Sequence, residues 1–305
     1  MATNQYNMYS ASFVYAGPTT LTLTQLRSQS IQIGANKTTV KGAGALDPGA
    51  IYTGTIDPRF SLSTRDLNSI LGAVSLTTGL NCTGGGTLRF QKREQAAAYA
   101  SGSDHETIST TKGFLCLDSF GVDRDSVEGG EASLMYVPLY DGTNAILVQN
   151  TGVSFSGVTA PAAVSAYYLG PVYHNGTQLA GLISSRVRTG INFQTRRTDG
   201  DVAPQDGFIA ARDPMIELTF SKVDLGSTLS LFGTAAAGNI DVYYLRGTVG
   251  GRLATGSGDL HCKITAAASA MGSDTFEVTG EDNATVTATV RVTGTLALDL
   301  TANLP

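Results

Sequence analysis

The sequence predicts an all-β protein with one or two short helices, arranged as two tandem β-sandwich or barrel domains. Three observations predict it. The 36 glycines accompany frequent alternation of Val, Ile, Tyr and Thr with polar neighbours, the pattern of half-buried strands. Hydrophobic residues make up 42% of the 305 and charged residues 15%, enough to bury a core and too apolar for a disordered chain. A strand–helix unit opening on Asp57-Pro58 also comes back at Asp213-Pro214.

That unit organises the chain. Asp57-Pro58 begins an extended segment, because the residue before a proline is kept out of the helical region. Phe60 and Leu62 alternate with polar residues as in a strand. Thr64 caps a helix in which Leu67, Ile70 and Leu71 form an i, i+3, i+4 stripe, and Gly72 stops it. The second copy runs through Met215, Ile216 and Leu218 to Val223, Leu225, Leu229 and Phe232. Gly226 weakens its helix. A displacement of 156 (213 minus 57) also lays Ser28 on Ser184, Gly34 on Gly190, Asn36 on Asn192 and Pro48 on Pro204. Some matches are accidental in a chain this rich in Gly, Ala and Thr. That His105 meets His261, two of only three histidines, argues for a duplication.

In order, residues 1–27 read as an N-terminal arm with apolar stretches at Phe13-Val14-Tyr15 and Leu21-Thr22-Leu23. Its copy is missing before the second half unless residues 163–183 supply it. Residues 28–150 form the first domain, with a strand from Ile31, a small-residue loop over 41–49 and a strand at Ile51-Tyr52. The Asp-Pro unit follows, then strands over 87–92, 105–108, 114–117 and 134–140. Residues 151–183 are a Gly/Ala/Ser/Tyr-rich connector. Residues 184–305 form the second domain: a strand over 187–197, a tight turn at Thr198-Asp199-Gly200-Asp201, and a loop over 202–207. Strands over 239–246 and 261–264 follow, with a hairpin at 247–252 between them and one alternating strand over 285–300.

The net charge of −5 and pI near 5.2 argue against a grip on nucleic acid built by neutralising phosphates. Like charge suits a surface that nucleic acid slides past. The N-terminus has no basic and apolar regions of a signal peptide, and no run approaches a membrane span. Cys82, Cys116 and Cys262 are odd in number and fall at non-equivalent positions of the halves. They read as reduced, buried thiols of a chain made in a cytoplasm. His105, His174 and His261 lack metal-ligand spacing, and Asp104-His105-Glu106 reads as a hydrogen-bonded histidine at a strand start. No GxSxG elbow or phosphate loop occurs. The expectation is a protein with no catalytic, cofactor or metal residues.

The order of strand, long loop, Asp-Pro, strand, Thr-x-Asp-Leu helix and paired strands resembles the tail tube proteins of long-tailed bacterial viruses, over roughly 28–150 and 184–305. The resemblance implies tube-type domains, a β-sandwich flanked by a helix, six of which close a ring around a DNA channel. Duplicated subunits imply three chains in a pseudo-six-fold ring. It implies a virion tail subunit, assembled in the host cytoplasm, whose partners are itself and other tail proteins, with DNA passing unbound and no membrane. Loop residues Lys41, Asp47, Asp199, Asp201 and Asp206 are then candidates for contacts between rings. Arg186, Arg188, Arg196 and Arg197, on or beside one strand, are candidates for contacts between subunits. Two other readings stand beside this one. One is another virion part, such as a capsid decoration, adaptor or distal tail protein. The other is a receptor- or carbohydrate-binding β protein using Tyr167, Tyr168 and Tyr173 as an aromatic platform.

Overall fold

A computed structural model of the chain describes residues 5–40, 43, 47, 50–93, 103–154, 166–198, 200–221, 236–248, 251–252, 260–277 and 285–305. The first half contains β1 (Gln5–Tyr15), β2 (Thr19–Leu23), β3 (Leu26–Gln32), β4 (Lys37–Val40), β5 (Ala50–Thr53), β6 (Arg59–Thr64) and helix α1 (Leu67–Ala73). It continues with β7 (Leu80–Cys82), β8 (Gly86–Arg93), β9 (Ser103–Ser109), β10 (Lys112–Asp123), β11 (Glu131–Leu139) and β12 (Val148–Ser154). The second half contains β13 (Tyr167–His174), β14 (Thr177–Leu179), β15 (Leu182–Arg188), β16 (Ile191–Arg196), β17 (Asp206–Arg212) and β18 (Met215–Phe220). It ends with β19 (Ala236–Thr248), β20 (Gly251–Arg252), β21 (His261–Glu277), β22 (Thr285–Val292) and β23 (Leu296–Ala302). The protein is all-β with a short helix.

Pairing registers repeat along the chain. β3 and β6 place Leu26 opposite Thr64 and Gln32 opposite Arg59; β15 and β18 place Leu182 opposite Phe220 and Arg188 opposite Met215. Each partner moves by 156 (182 minus 26, 220 minus 64), and the irregularity after Leu26 recurs after Leu182. The β4–β5 hairpin recurs as β16–β17, Lys37 opposite Thr53 becoming Phe193 opposite Ile209. β1–β2 recurs as β13–β14. β10–β11 recurs as the C-terminal part of β21 with β22, the break between Leu117 and Ser119 returning between Ser273 and Thr275.

Each repeat is therefore a sandwich of two sheets. In the first, the outer sheet runs β12-β9-β8-β1-β2. In the second, the outer strands β14, β13, β19 and the start of β21 stay joined to the inner ones because β21 passes from one layer to the other. The inner strands of both repeats form one run, β21-β22-β18-β15-β10-β11-β6-β3. The pair β10–β15 joins the repeats, with Phe120 opposite Val187.

Alternation explains which side is core. β6 buries Phe60, Leu62 and Thr64, and β18 buries Ile216, Leu218 and Phe220, with the intervening residues half-buried or exposed. Tyr136 packs on Phe13 and Phe60, with centroids 4.9 and 5.6 Å away, and Tyr244 packs on Phe120 at 5.1 Å. Each buried phenol finds a hydroxyl partner, Thr110 at 2.6 Å and Ser185 at 2.8 Å, because an unpaired one would carry its whole desolvation cost. The histidine reading also has a geometry. The Lys92 N–H donates to His105 Nδ1 at 3.1 Å and the Arg246 N–H to His261 Nδ1 at 3.2 Å, in both cases from the neighbouring strand.

Several expectations are corrected. Asp66, not Thr64, caps α1, its carboxylate accepting from Ser69 N–H at 3.3 Å, while Thr64 ends β6 and its hydroxyl accepts from Asp66 N–H. Gly72 lies inside the helix; extended Val74 terminates it. The strand expected over 187–197 is cut at Gly190, which has φ +61 and whose backbone crosses so close to the Asp213 carbonyl that a Cβ would meet it at 2.1 Å. Gly34 does the same against Asp57, so the Asp-Pro unit is where the chain folds back under each hairpin. The strand expected over 285–300 is split between β22 and β23. Residues 1–27 hold β1, β2 and the start of β3, and residues 151–183 hold the end of β12, β13, β14 and the start of β15. The expected second helix lies outside the described residues.

Candidate functional site, a polar sheet face with two open edges

Away from the core the inner sheet is polar except where Phe114, Cys116, Val137 and Leu139 of β10 and β11 are buried with Phe193 of the β16–β17 hairpin. Ser61 and Ser63 of β6, Ser133 of β11, Glu217 and Thr219 of β18 and Thr287 of β22 all occupy the non-core positions of their strands. A cleft of about 590 Å³ lies over this face, astride β10–β15. Its charged lining is Arg65, Asp123, Glu131, Arg186 and Glu217, two cations against three carboxylates. The serines and threonines among them hydrate without holding a fixed charge. Such a balance supplies no phosphate grip.

The predicted arginines separate. Arg186 and Arg188 share the polar face of β15; Arg186 lies opposite Gly121 and Glu217, and Arg188 pairs with Glu217 at 3.2 Å. The break at Gly190 puts Arg196 at the end of β16 and Arg197 just beyond it. Arg196 lies over the Phe208 ring at 4.7 Å, and Arg197 donates to the Ile56 carbonyl at 3.4 Å. The four do not lie on or beside one strand. Of the loop residues, Asp47 is exposed, and Asp201 accepts from Gln205 in the turn closed by Asp201 N–H to Thr198 carbonyl at 3.0 Å. Asp206 stands opposite Arg196. Lys41 and Asp199 lie outside the described residues.

The two hairpins are placed differently. β16–β17 lies on the first repeat: Phe193 stacks on Phe114 at 4.1 Å, Tyr140 N–H donates to the Pro204 carbonyl at 2.7 Å, and Lys112 Nζ to the Gln205 carbonyl at 3.0 Å. β4–β5 pairs with itself, and every residue of β4 is exposed. Ile51 on β5 is 66% exposed.

The two ends of the inner-sheet run are open among the described residues. β3 pairs with β6 on one side only, and β21 from Ser273 to Glu277 pairs with β22 on one side only. These edges end the inner sheet, and residue typing alone missed them. The signal was the duplication: once β15 is recognised as the copy of β3, its bond to β10 asks what β3 itself pairs with.

Each tyrosine of the connector meets a group of the neighbouring fold. Tyr167 is buried and donates to Asn68 of α1 at 3.1 Å, Tyr168 reaches the Val127 carbonyl at 3.4 Å, and Tyr173 meets Tyr243 edge-on at 5.7 Å. Burial pushes the thiols of Cys82, Cys116 and Cys262 up to about 12, which leaves them protonated and weak nucleophiles. Among the described residues no group of three His, Cys, Asp or Glu is placed to hold a metal. No helix there is long and apolar enough to cross a membrane. Compared with known proteins, the chain matches no family model and no curated protein sequence.

Proposed function

We propose that the protein is a structural subunit of the tail tube of a long-tailed bacterial virus. Chains join side by side into rings, three chains giving six similar repeats, and the rings stack into a tube. The polar, charge-balanced face of the inner sheet lines the channel, and DNA passes it without being held. Other tail proteins meet the ends of the tube, and assembly takes place in the host cytoplasm. The protein performs no reaction.

The observation that supports this reading is the inner sheet: one run through two repeats, apolar on one face, polar on the other except where the β16–β17 hairpin covers Phe114, Cys116, Val137 and Leu139, and unpaired at both ends among the described residues. An open edge presents rows of unpaired N–H and C=O groups and invites another strand. Two different edges on one molecule give a head-to-tail contact, which closes into a ring when the rotation per subunit allows it.

Electron microscopy of the purified protein tests the reading. Class averages should show rings or tubes with a central hole. A protein that remains a monomer in sedimentation at high concentration, and forms neither, overturns it.

A further inference from the structure

We infer that the strand pair joining the two repeats inside one chain is made a second time between chains: β3 of one copy adds to the C-terminal part of β21 of the next. This rests on the tube-subunit reading and names its seam.

Inside the chain the seam is β10 against β15, Ser119 opposite Arg188, Phe120 opposite Val187 and Gly121 opposite Arg186. Among the described residues, each strand has a copy that lacks this partner. β3 is the counterpart of β15, with every position against its inner neighbour kept at a displacement of 156 (188 minus 32). β21 beyond residue 268 is the counterpart of β10. Gly113 opposite Cys82 and Leu115 opposite Leu80 become Ser269 opposite Gly238 and Met271 opposite Ala236, again 156 apart (269 minus 113). The sheet thus carries at its two ends the two halves of the joint at its middle.

Carrying the seam over at that displacement gives a register. Ser119–Arg188 becomes Thr275–Gln32, Phe120–Val187 becomes Phe276–Ile31, and Gly121–Arg186 becomes Glu277–Ser30. Residue types agree where it matters. Phe and Val, both buried at the inner seam, are replaced by Phe and Ile. Ile31 is only half-buried in the single chain, and a strand laid beside it would cover the rest. Ser28, Ser30 and Gln32 are exposed and fall on the polar side, continuing the face of Ser61 and Ser63.

The experiment uses the full chain with paired cysteines, Gln32→Cys with Thr275→Cys and Ile31→Cys with Phe276→Cys, under mild oxidation. Both are needed because neighbouring antiparallel pairs alternate between wide and close spacing. The comparison variant, Ser30→Cys with Thr275→Cys, is two positions out of register, roughly 7 Å too far along the strand for a disulfide. The native thiols are buried and do not compete. At least one in-register pair should give covalent dimers and trimers on a non-reducing gel, and the out-of-register variant neither. Rings visible by microscopy with no link from either pair, or with equal linking out of register, overturn this seam and leave the tube reading standing. A chain that forms no rings and no links overturns both.

Discussion

β3 and its hairpin β4–β5 are built like β15 and its hairpin β16–β17, yet their surroundings differ. The second set has a neighbour within the chain: Val187 and Ser185 are buried, and Phe193 lies flat on Phe114. Among the described residues the first set lacks that seam neighbour: Gln29 and Ile31 are half-buried, and Lys37 stands at the position of Phe193 (193 minus 156). The backbone is the same and the side chains are not. Where a repeat always has its neighbour, apolar contacts are locked in. Where no neighbour is present in the chain, the strand keeps Ser, Gln and Lys, a common way of blunting an edge.

The sharpest break in this comparison is at Phe120. It is 1% exposed and packs on Tyr244 across the seam. Phe120→Ala should cost about 3–5 kcal/mol, measured as a lower urea midpoint of the monomeric chain. Ile31→Ala, at the open counterpart of Val187, should cost the monomer less than half as much. Equal losses would mean that the two edges are not in different states.

Next come the hairpins. Phe193→Ala removes the ring stacked on Phe114 and should cost about 3 kcal/mol. Lys37→Ala, the same position in the exposed hairpin, should stay within about 0.5 kcal/mol. Amide hydrogen exchange separates them further: the β16–β17 amides should become less protected in Phe193→Ala, while β4–β5 exchanges quickly in the unassembled chain throughout. Slow exchange in β4–β5 of a verified monomer would contradict its isolation.

Much of this was legible in the sequence, and the omissions have physical causes. Alternation of Phe60 with Leu62 and of Ile216 with Leu218 marks the strands, and Asp57-Pro58 with Asp213-Pro214 marks the repeat. The breaks were harder to read. Gly190 and Gly34 interrupt otherwise continuous polar-apolar runs because of a close carbonyl across the fold, a long-range contact with no local signature. The single strand expected over 285–300 failed likewise, since Thr293-Gly294-Thr295 keeps the period while turning the chain. Arg186 through Arg197 read as lying on or beside one strand only because that break was invisible. The open edges belong to topology, which periodicity does not encode.

The smallest difference between the repeats is ionic. Glu128 is held between Arg27 of β3 and Arg65 just beyond β6; the counterparts of those arginines are Ile183 and Ser221 (27 plus 156, 65 plus 156), so the second repeat has no such clamp. The hydrogen bond from Arg65, and after it the charges of both arginines, hold the Glu128 carboxyl below its usual value. A depressed folded value means that the clamp contributes fully above the ordinary glutamate range, about 4.3, and is lost as the pH falls through the folded value. Because the carboxylate is exposed, salt screens it and the contribution is small. Wild type should therefore unfold at a slightly higher midpoint than Glu128→Gln near pH 7, with the two converging as the pH falls below the ordinary glutamate range and in about 1 M salt. A gap that survives both acid and salt would show that Glu128 holds β3 by packing rather than by charge.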